Sequence, residues 1–367
     1  MALSGRFRET SFDELPGWRR DDAAAAFAAF RRSAFHVLDK PYRSGSLGVA
    51  FESFAPAFEA ARQIAQPSAA AARGFFESHF VPHHVAPDEG ASGLVTGFYE
   101  PEVEASPVRS ASYRIPLLSR PHDLVAVDDE NRPAGLDPYL AFGRQTDAGI
   151  VEHPDRQAIE RGALSGFGLE IAWLADPVDA FFIHVQGAAR LRMPDGSLRR
   201  VTYAAKSGQR FTGIGRVLAD LGEIPLAEVT MQSIRRWLRD HPGRVDEILW
   251  RNRSYIFFRE AAVDDERLGP VAAAKVPLTA GRSIAVDRLL HTFATPFFID
   301  APTLDAFGEG GFRRLMIAQD TGSAITGAAR GDLFAGSGDA AGEIAGVIRH
   351  AAEFVALLPR PLLDRGR

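Results

Sequence analysis

The chain has 367 residues, of which 46% are hydrophobic and 24% charged, enough for two globular domains with sizeable cores. Its net charge of -5 gives no basic surface of the kind that binds nucleic acid. The sequence has no cysteine for disulfides, thiol catalysis or acylation, no apolar run of the roughly 18–20 residues that cross a membrane, and no apolar signal segment in residues 1–20. We therefore expect a soluble protein without a leader in the sequence as it stands.

Phenylalanine and alanine recur at helical spacing through the first eighty residues, which predicts three helices. Asp21 or Asp22 is placed to cap the first helix, and Ser68 to cap the third. Such stripes are typical of core packing, so we expect their phenylalanines to be buried. They are Phe27, Phe30, Phe51, Phe54, Phe58, Phe75, Phe76 and Phe80.

From Pro82 the pattern changes to short strands separated by glycine and proline. In the segment 181–187 the alternation places Ile183 and Val185 on one face of a strand, with His184 and Gln186 on the other. The clearest hairpin turns at residues 194–196. Strands are predicted at 94–101, 181–187, 190–193, 198–203, 254–258, 283–286, 296–299 and 315–318.

Helices interrupt the strands in the second half of the chain. Thr230 caps one that stops at Pro242, another runs toward Asn252, and residues 341–358 are predicted to form a final helix. This order favours an α+β fold, mainly β, over alternating βαβ units.

Several common catalytic motifs are absent from the sequence. His79 and His83 have the spacing of a helical metal pair, but Pro82 between them breaks the helix, so we predict no metal site. The glycine-rich runs lack the Lys-Ser/Thr of a phosphate-binding loop. The motifs of serine hydrolases and zinc hydrolases are also missing.

Two aspartates remain as candidates for acid–base chemistry. Asp320 follows an apolar run, and Asp332 precedes Leu333 and Phe334, with flexible glycines such as Gly322 in the connection between them. Apolar surroundings raise the pKa of a carboxylic acid, as a general acid requires. In a chain with 47 acidic residues this spacing alone does not identify a catalytic pair.

The sequence closely resembles the membrane-bound lytic murein transglycosylase A family with its C-terminal 3D domain, over roughly residues 40–360. The most specific match is DTGSAITGAARGD (320–332). The family usually has glycine where Ser323 stands and often lysine where Thr326 stands, and neither difference touches the acids. The other matching stretches are 93–101, 181–196, 203–218, 231–242, 252–258, 275–287 and 316–336.

This resemblance implies a double-psi β-barrel domain formed by residues 1–100 and 263–367, with helices around it. It also implies a smaller β-rich domain inserted at residues 101–262, and a groove between the two that holds the glycan. The implied partners are peptidoglycan glycan strands, bound by a monomer in the cell envelope, in the periplasm, without metal or cofactor. Family members are commonly outer-membrane lipoproteins, but this sequence has no cysteine to acylate.

The resemblance further implies that Asp332 serves as the single general acid and base, and that Asp320 assists it by stabilising the oxocarbenium centre. It assigns substrate contacts to two groups of residues. They are Thr96, Gly97, Tyr99, Glu100 and Gly322, together with Gln186 and Lys206 of the inserted domain.

Alternatives stay open for the function and for individual residues. The protein could instead be a glycan hydrolase with Asp320 as base, or a non-catalytic cell-wall-binding protein. Asp320 is also suited to capping a turn, Tyr99 to packing and Lys206 to solvent. Arg282 and Asp287 are expected to form an internal ion pair.

Overall fold

The computed structural model describes residues 2–364, which divide into two compact units. Unit 2 is Glu100–Asp264, and unit 1 contains the described residues on either side of it. The fold mixes helices with strands, and strands predominate. Among residues 2–364, no helix is both long and apolar enough to cross a bilayer.

The N-terminal part of unit 1 contains the three predicted helices. Asp22 caps the first by accepting hydrogen bonds from the backbone of Ala24 and Ala25, and Ser68 caps the third by accepting from Ala71. The elements are β1 (Phe7–Glu9), α1 (Ala23–His36), α2 (Ala55–Gln63), α3 (Ala69–His79), β2 (Phe80–Val85) and β3 (Leu94–Glu100).

Seven of the eight phenylalanines predicted to be buried lie in the core of unit 1, and the eighth, Phe51, is half-buried against that core. Phe30 of α1 is fully buried and lies 5.3–5.9 Å, between ring centroids, from the rings of Phe58, Phe75, Phe76 and Phe80. Burial of one such side chain contributes roughly 1.5–3 kcal/mol, so this cluster anchors the helices to the sheet beneath them.

Unit 2 contains three small sheets and several short helices. The predicted hairpin at 190–203 is confirmed: two of its strands pair antiparallel around the turn that contains Gly196. The predicted helix after Thr230 is also confirmed, since the Thr230 hydroxyl accepts from the backbone of Ser233. The elements are β4 (Glu102–Glu104), β5 (Ile115–Leu118), β6 (Leu124–Ala126), β7 (Phe142–Thr146), β8 (Gly149–Val151), α4 (Arg156–Ala158), β9 (Glu170–Leu174), α5 (Pro177–Gln186), β10 (Ala188–Arg192), β11 (Leu198–Lys206), α6 (Ile214–Asp220), α7 (Met231–Asp240), α8 (Val245–Leu249) and β12 (Ile256–Ala261).

The strand predicted at 181–187 is wrong, because this segment belongs to helix α5. Asp176 caps the helix by accepting from the Val178 backbone, and Pro177 occupies the first turn. Gly187 ends it in the left-handed conformation, at φ 80°. These three stop and start signals outweigh the short alternation that suggested a strand.

The C-terminal part of unit 1 completes a nine-stranded sheet. Its strand order is β1-β2-β18-β14-β15-β13-β16-β3-β17, so β1 and β17 are the end strands. In this sheet β13 pairs in parallel with β15 and antiparallel with β16. The elements are β13 (Ser283–Val286), β14 (Pro296–Ala301), β15 (Phe312–Asp320), β16 (Arg330–Ser337), α9 (Asp339–Gly346), β17 (Arg349–Ala351), β18 (Glu353–Pro359) and α10 (Arg360–Asp364).

The single helix predicted at 341–358 is wrong over most of its length. Helix α9 ends at Gly346, and β17 and β18 follow. The apolar run Phe354–Leu358 is buried as a strand between β14 and β2. A continuous apolar run does not by itself distinguish a buried strand from a buried helix, which explains the error.

Arg282 was expected to form an ion pair with Asp287, but it pairs with Asp21 instead. Its guanidinium makes two hydrogen bonds of 2.8 Å to the carboxylate of Asp21, and both side chains are nearly fully buried. Asp21 also accepts from the backbone of Leu315 in β15. Asp287 accepts instead from the backbone of Gly327 at 3.0 Å. Both residues therefore have structural roles, with different partners from those expected.

Candidate active site

Asp320 and Asp332 lie on the two strands that flank β13, and both pair with the same residue of that strand. Ala285 is the parallel partner of Asp320 in β15 and the antiparallel partner of Asp332 in β16. Side chains of directly paired residues lie on one face of a sheet. The two carboxylates therefore face the same side, on backbones that are two strand spacings, or about 10 Å, apart.

A bulge in β15 determines which way Asp320 points. Neighbouring residues of β13 pair with Ala318 and Asp320, so Gln319 is the extra residue. The Gln319 side chain is fully buried, donates to the carbonyl of Ala29 in α1 at 2.8 Å, and accepts from the Ser283 hydroxyl at 2.6 Å. Bulges commonly redirect a neighbouring side chain, and here the buried Gln319 fixes the bulge in place.

The carboxyl of Asp332 is tied to strand β3. The Thr96 hydroxyl donates to Asp332 Oδ1 at 2.5 Å and itself accepts from the Arg330 guanidinium at 2.7 Å. Burial raises the pKa of Asp332, while the Thr96 hydrogen bond and the charge of Arg330 oppose that rise. Asp332 is thus a carboxylic acid with a raised pKa and a fixed orientation.

Asp320 occupies a second desolvated position. Burial raises its pKa to about 6, although hydrogen bonds from the backbone of Thr321 and Ala273 oppose the rise. The charge of Asp332 raises the pKa of Asp320 further, and the charge of Lys275 lowers it. Because interaction between two titrating groups is reciprocal, a charge on either carboxylate disfavours ionisation of the other.

This arrangement suits proton transfer near neutral pH. An acid–base catalyst works best when its pKa is close to the operating pH, and burial moves both carboxyls in that direction. Among residues 2–364, no group of three or more histidine, aspartate or glutamate side chains could hold a metal ion. The chemistry supported by these residues is general acid–base catalysis by a carboxyl pair.

Three other residues of unit 1, Gly97, Tyr99 and Gly322, were also predicted to contact the substrate. A side chain at Gly97 would come within 2.9 Å of the Ala345 backbone, so this glycine permits close packing of the helix α9 segment. Tyr99 is buried, and its ring occupies the space that a side chain at Gly342 would need. Gly322 is exposed in the connection after β15. The structure brings Thr96 into contact with Asp332, but it gives Gly97 and Tyr99 packing contacts.

The three predicted contacts of unit 2 also separate into two groups. Glu100 is fully buried, and its carboxylate accepts hydrogen bonds from Arg190 at 2.9 Å and from Arg200 at 2.5 and 3.0 Å. Gln186 ends α5 and Lys206 ends β11, and both are partly exposed at the open end of the β10–β11 hairpin. Glu100 therefore holds two buried arginines, whereas Gln186 and Lys206 are partly exposed to solvent.

Three charged residues near the aspartates escaped prediction from the sequence. Arg330 stands two residues before Asp332, a spacing that places both on one face of a strand and that could have identified it. Arg349 pairs with Thr96 from β17. Lys275 has a left-handed backbone, at φ 61°, which is uncommon for a residue with a side chain. Nothing local in the sequence points to these last two.

Two family descriptions match the chain. Residues 94–259 match the MltA specific insert domain, and residues 282–358 match the 3D domain. The first match covers most of unit 2, and the second contains Asp320 and Asp332.

The chain is similar to two solved structures and to one further protein, all three of which are named as MltA or as a lytic murein transglycosylase. A crystal structure of membrane-bound lytic murein transglycosylase from Agrobacterium tumefaciens is 52% identical, covers 98% of this chain and 99% of that one, and superposes with a TM-score of 0.93. Escherichia coli MltA with bound chitohexaose is 25% identical, with 97% and 95% coverage and a TM-score of 0.69. Membrane-bound lytic murein transglycosylase A of Escherichia coli (strain K12) is 32% identical over 272 residues. That match covers 72% of this chain and 66%, just under two thirds, of the relative.

Proposed function

The chain belongs to the membrane-bound lytic murein transglycosylase A family, and on that premise we propose that it cleaves peptidoglycan glycan strands. The bond broken is the β-1,4 link between N-acetylmuramic acid and N-acetylglucosamine, and the product carries a 1,6-anhydromuramyl end. The observation that carries this proposal is the pair of desolvated carboxyls on either side of Ala285.

The first chemical step is protonation of the glycosidic oxygen. Asp332 donates its proton to the leaving oxygen, and the bond to C1 of muramic acid breaks as an oxocarbenium-like centre develops. The raised pKa of Asp332 supports this role, because a protonated carboxyl is needed at the start. The hydrogen bond from Thr96 supports it by holding the carboxyl in one orientation.

The second step closes the anhydro ring without water. The C6 hydroxyl of the same muramic acid attacks C1, and the carboxylate left on Asp332 takes the hydroxyl proton. An intramolecular nucleophile reaches an effective molarity of about 10⁵–10⁸ M, so exclusion of water favours ring closure over hydrolysis. One residue thus performs both proton transfers, and no cofactor or metal takes part in either step.

Asp320 assists when ionised, by stabilising positive charge at C1. Its position on the same face of the sheet as Asp332 supports this role. It also accepts from the Ala273 backbone, so its capping of that segment and its electrostatic role are compatible.

Further parts of the proposal concern the rest of the molecule. Gln186 and Lys206 are proposed to contact the glycan, supported by their partial exposure. Closure of the strands of unit 1 into a double-psi barrel stays a prediction, as do a monomeric state and a periplasmic location. The parallel pair β13–β15 beside the antiparallel pair β13–β16 is compatible with such a barrel.

Digestion of purified sacculi tests the proposed activity. The parent protein should release products that mass spectrometry finds one water lighter than reducing-end muropeptides. Asp332→Asn should lose at least about a thousandfold in rate, because the substituted side chain cannot carry the proton. Equal digestion by Asp332→Asn would refute its role, and products with reducing ends would instead support hydrolysis with Asp320 as base.

A further inference from the structure

Two arginines lie on the same face of the sheet as Asp332. Arg349 in β17 is the cross-strand partner of Thr96, whose hydroxyl reaches Asp332. Arg330 precedes Asp332 by two residues in β16, and alternate residues of a strand share a face. Its guanidinium donates to the Thr96 hydroxyl at 2.7 Å, which confirms that it turns toward this face.

Neither arginine has an acidic partner within ion-pair distance among residues 2–364. The acceptors of Arg330 are the Thr96 hydroxyl and the Gly331 carbonyl, both of which are neutral. Arg349 is exposed, and its charge acts unfavourably on Arg330. The Asp332 carboxylate favours the charge of Arg330 when it is ionised, and an anion bound between the two arginines relieves the repulsion between them.

The charge of the side chains changes from negative to positive across this face of the sheet. The sheet order β15-β13-β16-β3-β17 carries Asp320, Ala285, Asp332, Thr96 and Arg349 in turn. An anionic substituent on a ligand is repelled at the Asp320 end and attracted at the Arg349 end. A ligand with one anionic substituent is therefore held in a single orientation beside Asp332.

We infer that Arg330 and Arg349 form a subsite for a carboxylate carried by the muramic acid residue of the substrate. This inference rests on the proposed function. N-acetylmuramic acid differs from N-acetylglucosamine in a lactyl ether that ends in a carboxyl group. That group is a free carboxylate in peptide-free strands, and in peptide-bearing strands it forms an amide with a peptide that has carboxylates of its own. Guanidinium groups suit both, since they bind carboxylates through paired N–H donors.

Binding measurements by calorimetry test the subsite, with Asp332→Asn as the background so that no ligand is consumed. Three ligands are compared: a peptide-free GlcNAc–MurNAc oligosaccharide, its peptide-bearing counterpart, and chitohexaose, which has no carboxylate. Arg349→Gln is the test variant. Arg8→Gln is its matched control, because Arg8 is an exposed arginine on β1, at the opposite end of the same sheet.

We expect Arg349→Gln to weaken binding of at least one carboxylate-bearing ligand about fivefold and to leave chitohexaose binding unchanged. The difference should shrink at high salt, because Arg349 is exposed to solvent. A loss confined to peptide-free strands identifies the lactyl carboxylate as the ligand group, and a loss confined to peptide-bearing strands identifies the peptide. Arg8→Gln should bind all three ligands as the background protein does.

An equal loss for chitohexaose, or no loss for either carboxylate-bearing ligand, would overturn the subsite and leave the proposed function standing. Failure of the background protein to bind any of the three glycans would instead overturn both.

Discussion

The hydroxyl of Thr96 lies between a cation and an acid: it donates to Asp332 Oδ1 at 2.5 Å and accepts from Arg330 at 2.7 Å. A direct ion pair with arginine would strongly favour the ionised carboxylate. A neutral hydroxyl between the two groups weakens that effect, so burial still raises the pKa of Asp332. The same hydroxyl restricts the rotation of the carboxyl. Thr96 thus makes a protonated yet well-oriented acid possible.

Thr96→Val removes the hydroxyl and preserves the shape of the side chain. Since the hydrogen bond lowers the pKa of Asp332, its loss raises that pKa, and the basic limb of the pH–rate profile should move to higher pH. Loss of orientation should reduce kcat about tenfold. Thr96→Ser keeps the donor and should retain the parent profile. If Thr96→Val shows the parent kcat and basic limb, the hydroxyl has no role in positioning.

Lys275→Met tests the electrostatics of the second carboxyl. The charge of Lys275 lowers the pKa of Asp320, so its removal should raise that pKa. If catalysis needs ionised Asp320, the acidic limb of the kcat profile moves to higher pH. Lys275 is exposed, so we expect a shift below about one unit that grows at low ionic strength. Lys40→Met, at another exposed lysine of unit 1, is the control. Identical acidic limbs in the two variants would contradict the prediction.

Asp320→Asn should stabilise the protein at neutral pH while it impairs catalysis. The pKa of Asp320 is about 6 in the folded protein, above its ordinary value of 3.8. The folded protein therefore favours protonated Asp320. The stability that this protonated form contributes, relative to the ionised form, is fully present below the unfolded pKa and is lost as pH rises through about 6. An amide stays neutral, so the variant should gain up to about 3 kcal/mol at neutral pH.

Unfolding of the Asp320→Asn variant and the parent by urea at about pH 4 and about pH 7.5 measures this effect. The two proteins should be similar at the lower pH, with the variant more stable at the higher. A variant less stable than the parent at neutral pH would show that the carboxylate of Asp320 contributes more to folding than its burial costs.

Local patterns in the sequence were sufficient for the N-terminal helices, for β13 and for part of β15, but they did not predict β16, the strand that carries Asp332. The caps Asp22 and Ser68 and the phenylalanine stripes act within one or two turns, and the strand at 283–286 was predicted with its observed bounds. The prediction of a strand at the position of helix α5 was wrong because it followed a short alternation of side chains and not the helix signals Asp176, Pro177 and Gly187. The prediction of a single helix at 341–358 was wrong because buried strands and buried helices are equally apolar.

The geometry of the candidate site depends on contacts that no local pattern contains. The bulge at Gln319 is fixed by α1, roughly 290 residues earlier in the chain, and the pairing of both aspartates with Ala285 depends on strand register. Recognition of the family supplied the chemistry. It did not supply the surroundings of Glu100, whose arginine partners lie 90 and 100 residues away.

Glu100→Gln should destabilise unit 2. The carboxylate of Glu100 is fully buried and compensates Arg190 and Arg200, which are themselves 6% and 4% exposed. Removal of one partner from a buried ionic group leaves charge uncompensated, and costs about 3–5 kcal/mol. Glu104→Gln is the matched control, since its 3.4 Å pair with Arg192 is exposed and should contribute less than about 1 kcal/mol.

Urea unfolding separates this structural role from the substrate contact first predicted for Glu100. Substitution of a residue with a structural role lowers the free energy of unfolding and leaves the KM of the folded fraction near the parent value. Substitution of a residue that contacts substrate does the reverse: it raises KM and leaves the free energy of unfolding unchanged. Because both oxygens of Glu100 already accept hydrogen bonds from buried arginines, we expect the first pattern. An unfolding free energy equal to that of Glu104→Gln would contradict it.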